Sequence, residues 1–494
     1  MPAPVTLDGH SLSISDVVAV ARHGAPVALA PRALAAVAAS RGIIEAAVAR
    51  GDTIYGVNTG FGKLAHVRIK PAQARELQRN LIRSHASGVG DPLPVDAVRA
   101  MMLLRANVLA RGTSGVRSDL PELIVAMLNA RVHPRVPSQG SVGASGDLAP
   151  LAHLALAMIG EGDDGATLQA KGLRPIVLET KEGLAFVNGT QAQTGIGALL
   201  VHDAWVLWRT AHAAAAMSLE AVRGTPAPFD ARIQDARPHP FQQRSAALLR
   251  ELLADSAIRD SHRENDPRVQ DAYSLRCTPQ VLGAVGEALA FAERLVATEL
   301  NAATDNPLVF DDAVISGGNF HGQPIALALD VIGIALATLA GIAERRLERI
   351  VNPDLSSGLP AFLARNPGVE SGFMTPQIAA AALVAECRVL ATPASVQSVP
   401  TEGNQEDVVP MGMTAAWKAD RILGNAVRIV SVELLAGAQG LEFLKPLAPG
   451  RGVARTYAAV RAVVAALDGD RPFTADIERI AEGIRAGTFD PEAT

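Results

Sequence analysis

The chain has 494 residues, of which 49% are hydrophobic but only 4% aromatic, so it can bury a large core, and its length suits about two to four average domains. A net charge of −5 with scattered basic residues leaves no nucleic-acid footprint. Cys277 and Cys387 have no metal or disulfide spacing and fit a reducing cytoplasm, and no HExxH-type metal motif is present.

The opening stretch MPAPVTLDGHSLSISD has neither a basic start nor an apolar core, so it does not read as a signal peptide. Residues 31–50 are expected to be helical and to stop at Gly51. A second helix is expected over 95–110. EGDD at 161–164 reads as a solvated loop, and Pro175–Leu178 as a strand. A long helix is expected from Thr190 to about Arg223. The polar, proline-bearing stretch 223–270 is a candidate exposed loop. Thr278-Pro279 is a helix start, an N-cap with proline at the first turn, and Pro307 is expected to end that helix near Asn306. Residues 308–310 and 313–315 form a hairpin pattern around Asp311-Asp312. The apolar run Ile325–Ile342 only reaches the lower edge of a membrane span and reads as a helix buried on all sides, so no membrane partner is expected. Thr375-Pro376 starts another helix to about Ala391, and 413–438 is one more. There is no strand–helix alternation, so a nucleotide-binding parallel sheet is not expected. The expected fold is mainly α: a smaller mixed N-terminal region, 1–220, followed by a bundle of long helices, 221–494.

GSVGASGDLAP, residues 140–150, is the first chemically odd segment. Gly140, Gly143 and Gly146 are spaced by small residues. As a phosphate cradle it lacks the lysine of a P-loop and the spacing of GxGxxG. A plain flexible turn is a second reading. The third is covalent. The Gly146 amide nitrogen can attack the Ala144 carbonyl carbon, because small residues let the backbone fold back and glycine tolerates the angles. Loss of one water closes a five-membered ring. Loss of a second from Ser145 leaves a methylidene, giving 4-methylideneimidazole-5-one (MIO), an electrophile that needs no added cofactor.

GSVGASGDLAPLAH resembles the signature of the histidine and aromatic amino-acid ammonia-lyases, and the similarity runs from about residue 50 to 485. The resemblance implies an MIO built from Ala144-Ser145-Gly146 and a small amino-acid substrate. It also implies a homotetramer whose sites are shared between subunits. Tyr55 in DTIYGVNTGFG falls where the family carries its catalytic base. A phenol takes a proton when positive charge or the electrophile's field lowers its pKa. Arg276 in VQDAYSLRCTPQ resembles the carboxylate-binding segment, and a guanidinium suits that task because it can bond both oxygens. Tyr273 is then expected near the prosthetic group, and Gln270 in the pocket wall. The resemblance assigns Asn188 in FVNGTQ to the ring oxygen or the substrate amine, and Asn306 and Phe320 to pocket positions.

Substrate choice rests on three residues. Ser84-His85-Ala86 is similar to the histidine-specific pattern, whereas tyrosine- and phenylalanine-specific members show His-Leu and Phe-Leu. Glu406 in NQED matches the histidine group, where a carboxylate can accept an imidazole N–H; against a phenyl ring it would be a costly unpaired charge. Met374 also fits that group. The chain departs from the histidine pattern at Thr392, and at Val408 and Pro410, where the family usually has His and Ser. The expected reaction is elimination of ammonia from L-histidine to give trans-urocanate. The alternatives are a tyrosine or phenylalanine lyase, an aminomutase on the same electrophile, and a non-catalytic helical scaffold.

Overall fold

The computed structural model describes residues 3–264, 266–311 and 313–492. Among them are 19 α-helices and three two-stranded β pairs, so the mainly α expectation holds. The chain divides into two compact units that interleave along the sequence. The first comprises the residues up to His202, with Ala292–Asp330 and Pro393–Trp417. The second comprises Asp203–Phe291, Val331–Thr392 and the residues from Lys418 onward. Four of the five boundaries fall inside helices, Gln191–Ala221, Thr278–Glu299, Gln323–Val351 and Gly412–Glu442, and the fifth lies between Thr392 and Pro393.

In the first unit, the helix Val95–Ala110 is buried from Ala97 to its end, which forces its polar side chains to find internal partners. Arg99 donates to the Val20 and Leu128 carbonyls, and Asn107 to the Leu300 carbonyl at 3.0 Å. Three shorter helices, Ala74–His85, Leu148–Met158 and Glu182–Val187, pack against one another. Each presents an end of the kind that carries function. His85 is the last residue of the first, the glycine-rich loop runs into the second, and Asn188 is the C-cap of the third.

The second unit is tied together by buried polar links between long helices. Arg346 forms a two-pronged ion pair with Glu433, which also accepts from Ser218 at 2.7 Å, and both ions are fully buried. Trp208 donates to the Leu282 carbonyl at 2.7 Å. His212 bridges the Trp208 carbonyl and the Ser245 hydroxyl, both at 2.8 Å, and burial pushes its pKa down to about 3. Two helices among the described residues are long and apolar enough to cross a membrane, Gln323–Val351 and Gly412–Glu442. Of their most apolar windows, 67% and 89% are buried inside the structure.

Several elements differ from expectation. The helix from Thr278 ends at Glu299, well before Asn306, because the chain there is captured from the side: Asn107 takes the Leu300 carbonyl, Arg111 takes the Asn301 carbonyl, and the Asn301 side chain pairs with the Leu12 backbone. Pro175–Leu178 is not a strand. Its Ile176 amide bonds the Met158 carbonyl, and Arg117 occupies the Val177 carbonyl. EGDD leads into the helix Gly162–Ala170, where Asp163 and Asp164 complement the positive helix start. The stretch 223–270 holds short helices, including Pro240–Leu252 with proline in its first turn. The hairpin is present as Leu308–Val309 paired with Val314–Ile315, while Asp312 lies outside the described residues.

The Arg346–Glu433 pair makes a direct test of this packing. Glu433→Ala leaves a buried guanidinium unpaired and is expected to cost about 3–5 kcal/mol, seen as a lower denaturant midpoint. Arg83→Ala, which removes an exposed pair with Glu161, is expected to leave the midpoint nearly unchanged.

Candidate active site

The glycine-rich loop is clamped from three sides within the first unit. The Met411 amide donates to the Val142 carbonyl at 2.8 Å, Gly322 to Gly143 at 3.0 Å, and Asp147 to Gly189 at 2.7 Å. Gly146 sits at φ +78° against the Gly189 backbone, and a Cβ there would lie 2.3 Å from the Gly189 oxygen, so no other residue fits. The Asn188 amide donates to the Ser145 carbonyl oxygen at 2.7 Å. The Asn188 side-chain oxygen is buried without a partner.

This loop forms one wall of a cavity of about 570 Å³. Ala144, Ser145 and Asn188 meet Tyr55, His85, Asn306, Phe320 and Glu406 around it. Eight expected residues, drawn from seven separate stretches of sequence, therefore converge. Gly146 borders a neighbouring cavity of about 350 Å³ that shares His85, Ser145 and Glu406. Tyr273, Arg276, Gln270 and Met374 are not among the lining residues; they belong to the second unit. There Arg276 lies over the Tyr273 ring at 4.8 Å, and its Nε is buried without a partner.

Glu406 is held at both oxygens. Thr401 donates to Oε2 and Ser145 to Oε1, each at 2.6 Å. His85 Nδ1 faces the Leu81 carbonyl at 2.9 Å, which assigns the proton to Nδ1 and leaves Nε2 as an acceptor. Burial lowers the His85 pKa more than the Leu81 bond and Glu406 raise it, so the imidazole is neutral at pH 7.

Tyr55 departs from expectation. Its hydroxyl accepts from the Gly62 amide at 3.0 Å, yet its pKa is raised, by burial first and then by Glu402 and Glu406. The charges facing the phenol within this unit are carboxylates, not cations. Glu402 was not singled out in the sequence, although it lies four residues before Glu406 in the same turn. It presses on Gly62, where a Cβ would clash with its carboxylate, and its own pKa is raised by burial and by Glu406. His321 also lines the cavity and meets the Val408 carbonyl at 3.1 Å.

A family model described as aromatic amino acid lyase matches residues 12–462. A histidine ammonia-lyase of Myxococcus xanthus is 52% identical over 495 residues, covering 98% of this chain and 97% of the relative. One from Koribacter versatilis is 51% identical, covering 97% and 98%. Among solved structures, a tyrosine aminomutase from Streptomyces globisporus superposes with a TM-score of 0.94 at 40% identity, covering 99% of this chain and 98% of that one. A histidine ammonia-lyase from Trypanosoma cruzi does so with 0.91 at 42% identity, covering 98% and 94%.

Beneath the loop, Asp147 is fully buried, accepting from the Gln193 amide at 2.9 Å and from Ser141 at 3.2 Å; burial pushes its pKa from 3.8 up to about 7. The folded chain thus holds a proton that the unfolded chain has released. The benefit is complete below the unfolded value and is lost as pH rises through about 7. Asp147→Asn cannot titrate, so its melting temperature relative to the parent is expected to improve from about pH 5 to about pH 8. A pH-independent difference would contradict this.

Proposed function

Because the chain belongs to the aromatic amino acid lyase family, we propose that it is a carbon–nitrogen lyase that eliminates ammonia from L-histidine to give trans-urocanate. The observation that carries this reading is the meeting of His85 and a carboxylate, Glu406, with Ser145 in the lining of one cavity. Two groups that can accept an N–H suit an imidazole ring. A phenyl ring would leave the Glu406 charge unanswered.

The residues present fit the MIO. The Ser145 oxygen, which becomes the ring oxygen, already accepts from the Asn188 amide. Gly146, the ring-closing nitrogen donor, is packed where no side chain could be placed. Once formed, the group supplies an electrophilic carbon, derived from the Ser145 side chain, that accepts the substrate amine and makes it a better leaving group.

The chain's own residues do the rest. Asn188 stabilises negative charge on the Ser145 oxygen, a preorganised donor of the oxyanion-hole kind. Loss of the Ser145 hydroxyl on maturation frees Glu406 Oε1, which then accepts an imidazole N–H. His85 Nε2 accepts the other where the ring is protonated, or packs against it where it is not. Tyr55 removes the β-proton, and fixed positioning of substrate against it contributes much of the acceleration.

That role needs a cation, and among the described residues the cavity lining contains no Lys or Arg. A substrate carboxylate needs one as well. We assign both needs to Arg276 of another copy in a homotetramer, with Tyr273, Gln270 and Met374 arriving beside it. A cytoplasmic setting fits two free cysteines. The aminomutase reading is favoured only by the structural likeness above, and the Glu406–His85 pair weighs against its aromatic substrate.

Supplying L-histidine, L-tyrosine and L-phenylalanine separately tests the substrate. The kcat/KM for histidine is expected to exceed the others by roughly a thousandfold, and equal use of tyrosine would overturn the choice. Ser145→Ala is expected to abolish turnover while leaving the helical signal intact. Undiminished turnover would overturn the mechanism.

A further inference from the structure

Arg105 stands outside the cavity and outside every motif, in the middle of the buried helix Val95–Ala110. It is fully buried. Its guanidinium nevertheless reaches the segment that carries Asn188. Nη1 donates to the Asn188 carbonyl at 3.0 Å and to Gln191 Oε1 at 2.6 Å, and Nη2 donates to the Ala185 carbonyl. Gln191 passes the link on, donating to the Thr304 hydroxyl at 2.8 Å, two residues before Asn306 in the cavity wall. The contact is so close that a Cβ on Gly189 would lie 2.6 Å from Arg105 Nη1 and 2.8 Å from the Thr304 oxygen.

The carboxylate facing Arg105 is Asp305, and Lys181 already pairs with it at 2.7 Å, both fully buried. Arg105 and Lys181 thus share one carboxylate, Asp305, and burial lowers the pKa of both cations, that of Lys181 further through Arg105. Burying a charge that is not fully paired is expensive, and a chain with purely structural needs could have spanned the gap with apolar side chains. The same low dielectric makes such a charge effective at short range on any oxygen that gains electron density.

We propose that Arg105 is a positioning residue for the reaction: its guanidinium fixes the Asn188–Gly189 turn, keeps the Asn188 amide aimed at the Ser145 oxygen, and sets positive charge behind that oxygen. The proposal rests on the lyase reading above. Arg105 touches neither substrate nor the Ser145–Gly146 loop and acts through Asn188 and Gly189. Because the same turn receives the Asp147 amide, Arg105 also holds the loop in the folded-back shape that ring closure requires.

The test compares Arg105→Met, Arg105→Lys and Thr304→Val with the parent. The readouts are intact mass, which reports the fraction of chains lighter by two waters, and kcat and KM for histidine. Arg105→Met is expected to lower both that fraction and kcat, the latter by about a hundredfold, with KM little changed. Arg105→Lys keeps the charge but not the fork, and is expected to recover part of both. Thr304→Val, which removes one remote link without adding strain, is expected to move both in the same direction by a smaller factor. Parent-like mass and kcat in a folded Arg105→Met would overturn the proposal, as would a rise in KM with kcat unchanged. If Arg105→Met does not fold, Thr304→Val decides, and parent-like values there overturn it. A parent chain with neither mass deficit nor turnover would overturn the lyase reading and this proposal together, whereas an active parent with indistinguishable variants overturns the proposal alone.

Discussion

Everything at the site depends on how closely two pieces of main chain approach at Gly146 and Gly189. A Cβ on Gly146 would lie 2.3 Å from the Gly189 oxygen, and one on Gly189 would strike Gln191, Arg105 and Thr304, so two glycines face one another as a parallel bridge. That contact sets Asn188 over the Ser145 oxygen and turns residues 144–146 into a tight bend. A glycine costs conformational entropy wherever it is used. Here the cost is offset by three backbone bonds from the rest of the unit, and by the helices on which the two segments end.

The electrostatics of the site follow from the same economy of space. Among the described residues, the cavity wall carries Glu402, Glu406 and Asp407 with His85 and His321, and no lysine or arginine. Away from the cavity lining, Arg105 and the Lys181–Asp305 pair are fully buried. The cavity is therefore hospitable to the ammonium and imidazole ends of an amino acid and lacks a partner for its carboxylate. Within this unit the described cavity lining offers no guanidinium, and the Tyr55 pKa is raised by burial first and then by Glu402 and Glu406. Under the proposed homotetramer, a second copy that brings the Arg276 guanidinium would answer both deficits at once. Oligomer and active site then become one problem rather than two.

The sequence was legible where local chemistry is strong. Gly51, Pro279 and Pro376 mark helix ends or starts that the structure shows, because capping and proline geometry act over a few residues. The loop at 140–150 stood out through its resemblance to the family signature, since small residues alone fit a plain turn equally well. Illegible were features fixed by distant partners. Nothing near Asn301 announces that Asn107 and Arg111, far away in sequence, will stop a helix there. Pro175–Leu178 has strand composition but finds no strand to pair with. Arg105 looks like one more basic residue on an apolar helix until its three acceptors are seen. Glu402 escaped notice because a carboxylate in a polar turn is ordinarily solvated.

The central claim is that this bend closes on itself to make an electrophile. The most direct measurement is electron density at residues 144–146 in crystals of a preparation that turns over histidine. The account expects a continuous five-membered ring joining the Ala144 carbonyl carbon to the Gly146 nitrogen, a planar exocyclic carbon in place of the serine hydroxymethyl, and the Asn188 amide on the ring oxygen. Ordinary open peptide bonds there, with an intact Ser145 side chain in an active crystal, would contradict it.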